Sequence, residues 1–430
     1  MVNSEKKALE DDLISRAKVV LPAGNFGNMA GNTVIAKGKG GRVWDVSGNE
    51  YVDFLLGSGP MFVGHAHPQV TQAICDQVPH GTTFFANNEY GIRLAEEICS
   101  AVMCAEQVRF VSSGSEATLY AMRIARAYRE RDKILKFEGG YHGMSDYSLM
   151  SLAPKNLSNY PQAVPDSAGI PRKVTEEVII APFNDKETVK SLIDEYHDQL
   201  GGVIVEPFQR LIPPMDGFLE LLREITSQYD IPLIFDEIVT GFRFSYGGAQ
   251  EFYGVTPDLC SLGKIIGGGF PLAAIGGRKD LMKYFDKEAV GEDHFLPQIG
   301  TLSGNPVAAA AGLATLDILN SKSAYEKVFK TGELIMSALK GAMHDNQHDA
   351  VVIGEPPLFD VFFTEAGIKD YRGVLKSDSK KAAAFNALLR ARNIFKGDSK
   401  FYVSLAHDED DVEQTIQAIR SAASALKDIQ

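Results

Sequence analysis

The stretch LCSLGKIIGGGFPLAAIGG, Leu259 to Gly277, holds two short apolar runs, LCSL and AAIGG, joined by a turn that opens on Lys264 and carries Gly267, Gly268 and Gly269. A phosphate loop of the Walker type needs Ser or Thr after the Gly-Lys pair, and Ile265 stands there. A dinucleotide loop must run on into a helix, which Pro271 blocks. The plain alternative is a surface lysine whose stem lies on apolar chain. A lysine held against apolar surroundings loses its proton more readily, because desolvation disfavours the ammonium. It is then an amine nucleophile suited to a Schiff base, and the glycines would let backbone pass close to whatever it carries.

Outward from this turn, apolar runs alternate with helical patterns. The runs are Val108–Val111, Ile134–Phe137, Val178–Ala181, Gly202–Pro207, Pro232–Ile238, Leu259–Leu262 and Ala273–Gly277; helical spacing appears over Glu116–Arg131 and Phe218–Tyr229. Strands alternating with helices predict an α/β fold around a mainly parallel, doubly wound sheet. Ligands of such sheets bind at the carboxyl ends of the strands, which directs attention to the residue after each run. Three segments are expected: 1–60 as an N-terminal part of a smaller α+β domain, 61–310 as the large domain, and 311–430 as the rest of the small one. Near the N-terminus, the apolar spacing of Leu9, Leu13 and Ala17 predicts a helix from about Glu5 to Val20, and Ser47-Gly48-Asn49 predicts a hairpin turn.

Composition excludes several functions. The chain has 430 residues, 45% hydrophobic and 23% charged, with a formal charge of −13. A nucleic-acid binder needs a basic face, and no run of Lys and Arg stands out. No apolar run reaches the roughly 18 residues of a membrane helix, and the charged N-terminus lacks a signal-peptide core. Cys75, Cys99, Cys104 and Cys260 have no metal-ligand spacing, so reduced, mostly buried thiols and a cytoplasmic setting are expected. His65 and His67 have HxH spacing but no third ligand nearby, and no metal site is expected. No G-x-S-x-G elbow of a hydrolase is present.

At the strand ends the chemistry accumulates. Ser112–Ala117, SSGSEA, offers Ser113, Gly114 and Ser115 at a helix start, either as an anion site or simply as a capping box with Glu116. Tyr141 and His142, between glycines, provide an aromatic that stacks on a flat ring or wedges loops. Asp236, after four apolar residues, calls for a buried cationic partner. In this order, a phosphate cradle, a stacking aromatic, a carboxylate and a nucleophilic lysine are what pyridoxal 5'-phosphate (PLP) requires.

The chain resembles the class III (ω-type) aminotransferases, PLP enzymes of fold type I, nearest their glutamate-1-semialdehyde aminomutase branch. The resemblance runs from about Leu21 to Leu405 and is strongest in FVSSGSEATLYAMRIARAYRERDKILKFEGGYHG, FDEIVTGFR, GVTPDLCSLGKIIGGGFPLAAIGGR and GTLSGNPVAAAAG. It implies Lys264 as the Schiff-base lysine, Asp236 as the partner of the pyridine nitrogen, Gly114 and Ser115 on the phosphate, Tyr141 on the ring and Glu206 as an acid near the cofactor. It also implies a homodimer, with Thr301 reaching the partner subunit's phosphate. The expected activity is ping-pong amino transfer from an amine or ω-/β-amino acid to a keto acid or aldehyde, with an aminomutase or racemase as alternatives. Two departures bear on substrate. Leu21–Gly31, LPAGNFGNMAG, lacks the arginine that the aminomutase pattern uses for the substrate carboxylate, and Asn393–Ser404 is short and basic where that pattern is acidic. Arg210 stands where many relatives have glycine; it is read as either a carboxylate clamp or an exposed loop residue, and Arg243 as structural.

Overall fold

The computed structural model describes residues 2–427, with side chains from residue 5 onward. It divides into two units, one of Met1–Pro68, Ser323–Glu365 and Ser377–Gln430, the other of Gln69–Lys322 and Ala366–Lys376. The divisions thus run at Pro68 and Lys322 rather than at 60 and 310. An 11-residue piece of the C-terminal third also returns to the large unit, because Arg372 pairs with buried Glu138, Nε to Oε2 at 2.7 Å.

The smaller unit opens on a helix, Val2–Val20, followed by strands β1 (Ile35–Lys39), β2 (Arg42–Asp45) and β3 (Glu50–Asp53). The expected hairpin pairs Val43 with Tyr51 across the Ser47–Asn49 turn. The expected helix forms, with its apolar positions only partly covered: Leu9 is 51% exposed, and Leu13 and Ala17 are half-buried. The helix is held instead by buried Glu10, whose carboxylate accepts from the Ser47 hydroxyl and from the Val34 amide at 3.1 Å. Two hydrogen bonds to a charged acceptor outweigh one leucine on a mostly polar helix.

The larger unit contains β4 (Gln107–Val111), β5 (Lys133–Phe137), β6 (Val178–Ala181), β7 (Leu200–Val205), β8 (Leu233–Glu237), β9 (Leu259–Leu262) and β10 (Ala273–Gly277). They form one sheet in the order β4-β10-β9-β8-β7-β5-β6. β6, β5, β7, β8 and β9 pair in parallel, and only β10 runs against its neighbours. The strands of β6, β7, β8, β9 and β10 are buried along their length, as a sheet covered on both faces must be. The smaller unit also holds β11 (Val351–Glu355), β12 (Leu358–Phe362), β13 (Ile394–Phe395) and β14 (Phe401–Tyr402).

The helix Gly114–Arg129 lies on the large sheet through Ala117, Ala121, Ile124 and Ala125, which recur every three or four residues. A Cβ on Gly202 of β7 would sit 2.9 Å from that of Ala125, so small residues on both sides set the close approach. That contact carries the helix N-terminus to the carboxyl edge of the sheet.

One glycine of the triple packs against a helix. Gly268 adopts φ +57°, and an added Cβ there would lie 2.5 Å from the Ala311 carbonyl of the helix Pro306–Leu319. Across the same contact, a Cβ on Gly312 would lie 2.0 Å from the Ile266 carbonyl oxygen. Gly268 of the lysine turn therefore admits the helix. Gly312→Ala separates two effects. Helix propensity alone would stabilise the protein by about 1 kcal/mol. The backbone clash should instead destabilise it by roughly 1–3 kcal/mol, read as a lower urea midpoint; a higher midpoint would refute the packing account.

Candidate active site

The ladder sets the site. Asp236 on β8 pairs with Ser261 on β9, so Lys264, two residues past the end of β9, stands beside the end of β8. Val205 pairs with Phe235, which brings Glu206 level with Asp236. Tyr141 and His142 follow β5, and Ser113, Gly114 and Ser115 follow β4. Five strands thus deliver their polar residues to one edge.

Asp236 is 5% exposed. Its carboxylate faces His142 Nδ1 at 2.8 Å and accepts from the Ser261 hydroxyl at 2.9 Å and the Ile238 amide at 3.2 Å. The cation expected beside it is, among the described residues, an imidazole that is charged only when protonated. The other ring nitrogen, His142 Nε2, is buried without a partner. The neighbouring Glu237 is equally buried and points elsewhere: it accepts from Gln250 Nε2 at 2.9 Å and Thr240 Oγ1 at 3.1 Å. Burial raises its pKa despite those bonds.

The loop after β5 is bound along its length. Glu206, also buried, accepts from the Tyr141 amide at 2.9 Å. The His142 carbonyl accepts from Thr118 at 2.6 Å and Ser148 at 2.8 Å, and the Met144 amide donates to Ser115 Oγ at 3.1 Å. Beneath it, fully buried Lys136 donates to the carbonyls of Met150 at 2.5 Å, Ser148 at 3.1 Å and Gly140 at 3.2 Å. Burial brings the Lys136 ammonium down to about 7, with Glu206 and Asp166 acting the other way. The sequence reading missed Lys136, although a lysine inside the apolar run ILKF is a signal that it faces something polar. It also passed over Ser261, hidden in LCSL. Burial raises the Tyr141 phenol, opposed by Arg210, while the charges of Asp236 and Glu206 add to the rise.

The capping reading of SSGSEA holds, and it leaves two helix-start amides over. Ser113 caps the helix, accepting from the Glu116 amide at 3.3 Å, while Glu116 Oε2 accepts from the Ser112 amide at 2.9 Å and the Ser113 amide at 2.8 Å. Ser113's amide and hydroxyl are thereby used within the chain. The next two amides, Gly114 and Ser115, have no acceptor among the described residues, and they open a 16-residue helix. Unbonded amides at a helix start are suited to an anion. Lys264 itself has φ +51°, a left-handed backbone that costs a residue with a Cβ about 1–2 kcal/mol. Backbone strain of this kind, at a strand end beside a buried carboxylate, is a mark of function.

Thr301 stands apart. It is exposed, on a loop tied down by Arg109 Nε to Gln298 at 2.6 Å and by Asn88 to the Gly304 carbonyl at 2.8 Å, and it hydrogen-bonds to no described residue. His65 is engaged by Asp53 at 2.7 Å, and no group of three or more metal-ligating side chains occurs among the described residues. Of the four free cysteines two are buried, Cys104 and Cys260, while Cys75 is exposed, so "mostly buried" overstated the case. No helix among the described residues is long and apolar enough to cross a membrane.

These features fit PLP: free helix-start amides for a phosphate, a half-buried tyrosine for a ring face, a buried carboxylate for a pyridine nitrogen and an amine for an aldehyde. Comparison with known proteins agrees. The model of the aminotransferase class-III family matches residues 25–371. Glutamate-1-semialdehyde 2,1-aminomutase of Syntrophomonas wolfei is 40% identical over 426 residues, covering 96% of each chain. An ω-transaminase from Sphaerobacter thermophilus superposes with a TM-score of 0.91 at 33% identity, over 97% of this chain and 98% of that one. A transaminase solved with PLP bound gives 0.88 at 30%, with the same coverage. The fold is that of the fold-type I PLP transferases, and this chain belongs to the class-III aminotransferases, a PLP-dependent family.

Proposed function

We propose that this protein catalyses amino-group transfer on a small amino carboxylate, with Lys264 as the amine that holds the cofactor and moves the proton. The observation that carries the reading is the meeting, at one sheet edge, of a strained lysine, a buried carboxylate and a helix start with free amides. Bound PLP supplies an electron-withdrawing ring next to the substrate's amino carbon. The chain's own residues then divide the work. Lys264 Nζ takes the proton from that carbon as a general base. Asp236, oriented by His142 and Ser261, holds a proton on the ring nitrogen. Gly114 and Ser115 bind the phosphate, Tyr141 covers one ring face, and Glu206 keeps Tyr141 in place. In the proposed homodimer Thr301 completes the partner's phosphate site, and its exposure beside Ile299, 81% exposed, suits an interface. The cytoplasm is the proposed setting.

Two forms of the reaction rest on different observations. The comparisons weigh toward the intramolecular form, since the 40%-identical relative is named an aminomutase. The absence of an arginine from Leu21–Gly31 weighs toward transfer between two molecules. A screen decides between them: PLP-loaded enzyme is given β-amino acids, ω-amino acids, simple amines or glutamate-1-semialdehyde, each without an acceptor. Exclusive, sustained turnover of the last establishes the aminomutase; a single stoichiometric conversion of the cofactor by the others establishes the transaminase.

Two substitutions test the shared chemistry. Lys264→Ala should abolish turnover and the near-visible absorbance of PLP-loaded protein; a variant that keeps both removes Lys264 from its role. Asp236→Asn should lower kcat by on the order of 100- to 1000-fold, with the fold intact by circular dichroism.

A further inference from the structure

Arg210 is the residue at this edge that the roles above leave over. It sits in a two-residue turn closed by Gln209 and Ile212, whose amides donate to each other's carbonyls at 3.0 and 2.8 Å. The turn is fixed from inside: buried Gln209 donates to the Glu138 carbonyl at 2.9 Å, and Leu211 and Ile212 are buried. Arg210 has φ +62°, a conformation glycine adopts freely and arginine only at a cost of about 1–2 kcal/mol. Nothing in the turn's packing requires a side chain there, because this one is exposed. Its guanidinium lies over the Tyr141 ring, 5.3 Å from the centroid. Among the described residues it has no carboxylate partner, although acidic residues number 56 against 43 basic ones.

A strained position that keeps a long cation, aims it onto the cofactor-facing aromatic and gives it no internal anion is built for an external one. The ring contact keeps the guanidinium beside Tyr141, and a planar guanidinium suits two parallel hydrogen bonds to a carboxylate. We infer that Arg210 binds the carboxylate of the substrate and selects amino carboxylates over plain amines. It takes the part left open by the arginine-free stretch Leu21–Gly31. The inference rests on the proposed amino transfer for the site's location, and it serves either form of that reaction.

The test uses PLP-loaded enzyme and has two readouts. An unreactive alkyl monocarboxylate, valerate, is titrated by calorimetry into wild type, Arg210→Gln, Arg210→Lys and Arg210→Gly. The ratio of kcat/KM for an ω-amino acid to that for the alkylamine lacking its carboxylate is measured in parallel. Loss of a bidentate charged contact should weaken valerate binding and lower that ratio by about 30- to 100-fold in the Gln and Gly variants, mostly through KM. Arg210→Lys should retain part of both. Arg210→Gly, which also relieves the backbone strain, should unfold at a higher temperature while losing selectivity; a structural arginine would not divide the effects this way. Valerate that binds wild type and Arg210→Gln alike, or fails to bind wild type, overturns the inference whatever the kinetics. Arg210-dependent valerate binding in an enzyme that converts no amine upholds it and overturns the amino-transfer reading alone.

Discussion

Everything at the carboxyl edge of the large sheet depends on one buried negative charge. A carboxylate out of water must be met by donors or it takes up a proton. Asp236 is met by a histidine from the loop after β5, a serine from β9 and an amide of its own turn. Meeting that need binds the ends of β5, β8 and β9 to one point. The same logic repeats a layer away, where Glu206 anchors Tyr141 and Lys136 gathers three loop carbonyls. Rings and amides that must hold a flat cofactor are thereby fixed before any ligand arrives, which is what preorganised electrostatics require.

The division between what was legible in the sequence and what was not follows from the range of the interactions. Periodicity is local, so the strand runs Val178–Ala181, Leu259–Leu262 and Ala273–Gly277 match their observed bounds to the residue. Gly202–Pro207 is offset by two residues: the strand already begins at Leu200 and Gly201, while Glu206 and Pro207 belong to the turn. The order of chemical residues along the chain was readable because an α/β sheet turns sequence order into positions along one edge. Their partners were not readable, since the bond from His142 to Asp236 spans 94 residues and that from Thr118 to the His142 carbonyl 24. The N-terminal helix was readable from its apolar spacing, but its anchor was not, because Glu10 found its partners 24 and 37 residues away.

SSGSEA was weighed as a cap or an anion site, yet a helix start has amides enough for both. Glu116 and Ser113 satisfy one another and the first amides, and by doing so they hold Gly114 and Ser115 in a shape that can receive a phosphate. Structural and functional readings of one motif need not compete when they use different atoms.

The contact between Gly312 and the Ile266 carbonyl gives the lysine turn an unusual kind of support. Most positions in a core are held by filling, and neighbouring side chains can trade volume as the sequence drifts. Here the turn is held by an absence, since main chain meets main chain with no room for one methyl group. Most side chains around it can change over time without moving Lys264, because backbone atoms set the closest approach. The placement of Lys264 is thus tied to the backbone, the part of the molecule that sequence variation alters least.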